Sequence, residues 1–134
     1  MTPYALTRLI HVTTAVLAMG LVTAGLLVAR IRGVPPAVWR SLARAALIGL
    51  VVMLATGLVM DYFTAGALHG ARWFRIGIGW ALATAASLIY ADRVIARTAR
   101  GVLDPEAARK RLVIASAIAV TCVALAVVVM VRRP

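Results

Sequence analysis

Hydrophobic and polar positions alternate along this chain on the scale of whole helices. Four stretches contain no Asp, Glu, Lys or Arg: 9–29, 45–60, 76–91 and 112–131. A hydrocarbon core of about 30 Å asks for about 20 helical residues at 1.5 Å each. The first and last stretches meet that length. The middle two are shorter, and each has neighbours that extend it: Arg44, whose stem can lie along the apolar surface, and the apolar pair Trp73-Phe74. The pattern predicts an all-α fold, a four-helix antiparallel transmembrane bundle. It forms one domain over 1–134, with helices over about 5–30, 42–62, 73–100 and 105–132.

The breaks between stretches carry their own signals. Gly33-Val34-Pro35-Pro36 ends the first helix, and Pro36 can open the second at its first position. The third helix can run past Tyr90 to Arg100 and stop at Gly101. Asp104-Pro105-Glu106 then reads as a helix start, with Asp as cap, Pro in the first position and an acid in the first turn. The first stretch is longer than a signal-peptide core and is followed at once by Arg30 and Arg32, which predicts a retained helix.

Between membrane helices water supplies no driving force, so small residues that let backbones approach mark the inner faces. The expected inner stripes are Thr7, His11, Thr14, Ala18, Val22 and Gly25 on the first helix, and Gly49, Met53, Thr56 and Met60 on the second. On the third they are Gly77, Ala81, Thr84 and Leu88, and on the fourth Ala115, Ala119, Cys122 and Ala126. Stripes this small either pack tightly or leave room for a cofactor.

Composition agrees with a membrane. Apolar residues make up 63% of the chain and charged ones 14%, against about 45–50% and about 25% in soluble domains. The mean hydropathy is +0.98. The net charge of +11 would suggest nucleic acid in a soluble protein. Here the basic residues sit between apolar runs, so the lipid bilayer is the expected partner and nucleic acid is not. Arg30, Arg32, Arg40, Arg44, Arg93, Arg97, Arg100, Arg109, Lys110 and Arg111 fall on the side of the two connections between helices 1–2 and 3–4. Arg8, Arg72, Arg75, Arg132 and Arg133 fall on the other. This bias places the connections in the cytoplasm and both termini in the periplasm, in a bacterial inner membrane. Tyr4, Tyr62, Phe63, Trp73 and Phe74 are the expected outer aromatic belt, Trp39 and Tyr90 the inner one.

Few groups can carry chemistry. His11 lies within the first apolar run, and intramembrane ionisable residues are costly and often functional. His69 lies in the loop after the second helix, on the same side. Two imidazoles approaching one leaflet could be the axial ligands of a haem b. They could also bind copper, with Met60, Met130 and Met1 on the same side as soft thioether ligands. The plainer alternatives are a neutral His11 bonded to a threonine or backbone carbonyl of a neighbouring helix, and a solvated His69. Asp61 is expected to pair with Arg8, Arg72 or Arg75. Arg72 and Arg75 could instead clamp an anion such as a haem propionate. Cys122, the single cysteine, excludes an intramolecular disulfide and lies mid-bilayer with no basic neighbour, which speaks against a reactive thiolate. No phosphate loop, hydrolase triad or His-x-x-x-His pair occurs, and whether the chain is an enzyme stays open.

Leu9-Ile10-His11 followed by Gly20 resembles the opening of the first helix in CopD-like membrane proteins and HemJ-type protoporphyrinogen oxidases. Thr56-Gly57 late in the second helix and Trp73 at the entrance of the third are similar to that pattern as well. The HemJ-type lysine of the third helix is absent, the only lysine being Lys110; Arg75 is the nearest basic residue. The tryptophan that often precedes the first-helix glycine is missing too. The resemblance therefore implies haem association through His11, with copper handling as its sibling, rather than porphyrinogen oxidation. The alternative from another class is a non-catalytic accessory subunit without cofactor, packed against a larger membrane complex or as a homo-oligomer.

Overall fold

The computed structural model describes residues 2–131 and contains four helices: α1 (Pro3–Arg30), α2 (Pro36–Phe63), α3 (Arg72–Ala99) and α4 (Pro105–Val131). Each has 27 or 28 residues, or about 42 Å of helix. That exceeds a hydrocarbon core of about 30 Å, so every helix emerges into the headgroup zone at both ends. All four are long and apolar enough to cross a membrane.

The helix ends follow local chemistry. Thr2 caps α1 by accepting from the Ala5 amide at 3.3 Å. Pro36 opens α2 after Pro35, so α2 starts more than a turn ahead of its apolar run and carries Trp39 and Arg40 on helix. Gly101, with φ +72°, terminates α3 beyond Arg100. Asp104 caps α4, its Oδ2 accepting from the amides of Glu106 and Ala107, both at 3.0 Å.

The helices form a square in which each touches its two neighbours. The hairpins α1–α2 and α3–α4 pack most closely, and the contacts α1–α4 and α2–α3 join them. Ala18, Ala46, Thr84 and Ala119 are 0–1% exposed at the centre. The small inner faces therefore serve close packing at the centre. Between α1 and α2 the closest approach at a glycine is at Gly49, where an added Cβ would stand 3.2 Å from the Ala18 Cβ.

The expected inner stripes of α1, α3 and α4 are inside, Thr7, His11, Thr14 and Ala126 being half-buried. On α2 the fully buried row is Trp39, Ala43, Ala46, Leu50 and Gly57. The expected row of Gly49, Met53, Thr56 and Met60 is only half-buried, because it faces α1, Gly49 over Ala18 and Met53 and Thr56 against His11, while the adjacent row enters the centre. Two expected belt aromatics are buried instead. Trp39 is 5% exposed and Phe74 7%. Phe74 continues the Gly77–Ala81–Thr84–Leu88 row by one turn, and Trp39 begins the α2 row, its ring tip 4.0 Å from where a Gly25 Cβ would be.

Candidate functional site

His11 reaches from α1 to α2. Its Nδ1 lies 2.9 Å from the Met53 carbonyl oxygen and 3.1 Å from the Thr56 Oγ1. The Thr56 hydroxyl donates back along its own helix, to the carbonyls of Val52 at 2.8 Å and Met53 at 3.0 Å. Its oxygen is thus left to accept from the imidazole, and the network puts the proton on Nδ1. The opposite nitrogen, Nε2, then carries a lone pair and has no hydrogen-bond partner among the described residues. Gly57 makes the seat possible: a Cβ there would stand 3.3 Å from the His11 Cε1.

One turn further along α2, Asp61 organises the α2–α3 loop. Its Oδ1 accepts from the amides of Leu68 at 2.8 Å and His69 at 3.0 Å, and its Oδ2 lies 3.2 Å from the His69 Nδ1. Its backbone carbonyl accepts from the Gly66 amide at 2.9 Å and the Thr64 hydroxyl at 2.9 Å. Ala65 and Gly66 turn the chain with φ of +52° and +80°. The His69 ring lies across Gly66, where a Cβ would come within 2.7 Å of its Cε1. Only a glycine tolerates both the positive φ and this approach.

The expected arginine partner of Asp61 is not found: among the described residues its side-chain partner is His69, whose Nδ1 lies 3.2 Å from its Oδ2. Loop amides and an imidazole seven and eight residues ahead reach a helix-end carboxylate more readily than long, exposed arginines do. Arg72 and Arg75 are exposed on the first turn of α3 and make no ion pair among the described residues. Met60 is half-buried, and its carbonyl accepts from the Thr64 amide at 3.1 Å. Met130 lies over Gly77, its Cε 2.9 Å from where a Cβ would be. Met1, Arg132 and Arg133 lie outside the described residues.

The structure thus brings Asp61 and His69 together and seats His11 separately, against Met53, Thr56 and Gly57. The hydrogen-bond partners of His11, Met53 and Thr56, lie eight and five residues before Asp61, the partner of His69, on α2, rises of about 12 and about 8 Å. Among the described residues no three His, Cys, Asp or Glu side chains gather as a metal-binding group. Cys122 is buried as a free thiol.

A polar contact at the opposite end went unread in the sequence. Asp92 on α3 accepts from the Arg40 Nε at 3.1 Å, with the Arg44 Nε at 3.8 Å. This joins the two hairpins. The signal was available: Arg40 and Arg44 stand four apart on one face, and the topology puts Asp92 at the same end.

Comparison of the chain with protein-family models, with curated proteins and with solved structures gives no match.

Proposed function

We propose that the protein is a small integral membrane protein that binds haem b, or serves haem- or copper-linked redox, through His11, with His69 as the second ligand. One observation carries this reading. Each imidazole has its Nδ1 tied to an oxygen, the Met53 carbonyl for His11 and the Asp61 carboxylate for His69. Metal-ligating histidines are oriented in this way, with the far nitrogen left to the metal. The resemblance to CopD-like and HemJ-type proteins at Leu9-Ile10-His11 points the same way. The basic bias of the connections supports a site on the periplasmic side of a bacterial inner membrane.

The donor set suits haem better than bare copper. A porphyrin supplies four donors and asks the protein for two axial ones, whereas copper would draw on His11, His69 and Met60. Arg72 and Arg75, exposed and without an ion pair among the described residues, suit the propionates. Because the bundle centre is closed, the group belongs at its margin, where His11 is half-buried. When bound, haem b would supply one-electron transfer. The chain's own part is to fix the two Nε2 lone pairs through the Nδ1 bonds.

A second reading is favoured by the same hydrogen bond. His11 bonded to Met53 and Thr56 is complete as a fastener between α1 and α2, which fits an accessory subunit with no cofactor. The two readings separate by spectroscopy of variants. Under the haem reading His11→Ala abolishes the low-spin b-type spectrum, and His69→Ala leaves a five-coordinate, high-spin one. His11 is fixed on a helix, whereas His69 sits on a loop where water can replace it. Unchanged spectra in both variants would sink the ligand assignment.

A further inference from the structure

At the end of the bundle that carries the two short connections, the four helices enclose a cavity of about 590 Å³. Its floor is apolar, with Trp39, Ile95 and Leu112 contributed by α2, α3 and α4. Its rim is charged, with Arg32 from the α1–α2 connection and Asp104, Glu106 and Arg109 from the start of α4. An apolar floor under a charged rim, at the level where membrane helices meet headgroups, suits an amphiphile.

The charge at the mouth of the cavity follows from its own four charged groups and from those around them. Asp104 spends its Oδ2 on the Glu106 and Ala107 amides. Glu106 is held by Arg109 through two hydrogen bonds, of 2.8 and 3.3 Å. Arg32 makes no hydrogen bond or ion pair among the described residues. The four rim charges cancel, but around them the same end carries Arg30, Arg97, Arg100, Lys110 and Arg111, so the mouth of the cavity sits in an excess of positive charge.

Trp39 adds an independent pointer. It is 5% exposed and makes no hydrogen bond among the described residues. Yet no buried side-chain nitrogen or oxygen there lacks a partner, so its indole N–H must reach accessible space. Trp39 also lines the cavity, which lies within reach of that group. Buried indole N–H groups ordinarily find an acceptor, and here a ligand oxygen would supply it.

We propose that this cavity is a binding site for an anionic phospholipid. Its phosphate meets Arg32, a headgroup or ester oxygen accepts from the Trp39 N–H, and the start of an acyl chain lies against Ile95 and Leu112. Basic pockets between helix ends are suited to such headgroups. A zwitterionic lipid gains less, because its cation meets the positive excess of this end of the bundle.

The test uses the full chain with Trp73→Phe and Trp80→Phe, so that Trp39 is the one tryptophan and can be excited apart from the tyrosines. The protein is reconstituted in phosphatidylcholine vesicles with rising fractions of lipid brominated on the acyl chain, carrying a phosphatidylglycerol or a phosphatidylcholine headgroup. Quenching of Trp39 reports occupancy of the cavity. Brominated phosphatidylglycerol should quench with about five-fold higher apparent affinity, the factor expected for one arginine facing an anionic lipid. Arg32→Gln should remove that preference, while Arg111→Gln, exposed and outside the cavity, should retain it. Equal quenching by the two lipids in the parent protein overturns the proposal, as does a preference that survives Arg32→Gln. A loss as large in Arg111→Gln as in Arg32→Gln also overturns it, since diffuse surface charge would then be the cause.

Discussion

Gly49 is the position at which the packing account is most exposed to test. A Cβ there would stand 3.2 Å from the Ala18 Cβ, and 3.7 Å from both the Ala18 Cα and the Thr14 carbonyl oxygen. Carbon atoms prefer separations of about 3.5–4.0 Å, and none of these neighbours is the end of a flexible side chain. Ala18 is itself 1% exposed. Adding bulk at Gly49 must therefore push α1 and α2 apart. The natural control is Gly20, an exposed glycine in the middle of α1 with nothing within 4 Å of an added Cβ. Gly49→Leu and Gly20→Leu change helix propensity alike, so their difference isolates the packing cost, about 1–3 kcal/mol for overpacking a close interface. Gly49→Ala should fall near zero, because its tight contact opposes a propensity gain of about 0.8–1.0 kcal/mol. Unfolding in mixed micelles of rising denaturing-detergent fraction, followed by circular dichroism, reads the three midpoints. Equal midpoints for Gly49→Leu and Gly20→Leu would refute the close α1–α2 approach.

Other parts of the structure give equally direct expectations. Asp61→Ala should release the α2–α3 loop, with exchange of the Leu68 and His69 amides faster by about tenfold or more, whereas Asp61→Asn, which keeps an acceptor oxygen, should change little; protected amides in the alanine variant would remove Asp61 as organiser. A double-mutant cycle of Arg40→Gln and Asp92→Asn should give a coupling of about 0.2–1 kcal/mol that fades at high salt, and zero coupling at low salt would deny that this pair joins the hairpins. In a Cys122→Ser background, cysteines at Ala37 and Ala99 should resist impermeant thiol reagents from the periplasmic side while one at Ala67 reacts; the opposite labelling would reverse the orientation drawn from the basic bias.

The helices were legible because each apolar run ends in its own stop or start: Gly33 and the two prolines, Gly101, and the Asp104-Pro105-Glu106 cap. The inner faces of α1, α3 and α4 could be read because small residues recur on one stripe of each. The α2 face was harder. Its small and polar stripe, Gly49 to Met60, turns toward α1, and the row that enters the core lies next to it, led by Trp39. Sequence alone places a tryptophan near a helix end in the interfacial belt. It cannot show that Gly25 leaves space for the ring inside. His11 and His69 were legible as residues near the same end of the bundle. The acceptors of those histidines were legible only in outline. That His11 bonds a threonine and a carbonyl was among the expected possibilities, but the bond from Asp61 to His69 depends on a loop turn at Ala65 and Gly66 that hydropathy does not encode.

The central functional claim rests on His11, and haem content tests it most directly. The measurement is the visible absorption spectrum and the iron and copper content of wild-type protein purified in mild detergent from haem-replete cells, beside His11→Ala. The variant should keep its fold, since an interhelical hydrogen bond in a membrane is worth about 0.6 kcal/mol on average. The account predicts a Soret band with near-stoichiometric iron in the wild type and its loss in His11→Ala. A colourless, iron-free wild type would contradict it, with stoichiometric copper transferring the histidines to a copper site and the absence of both metals leaving His11 as a fastener between two helices.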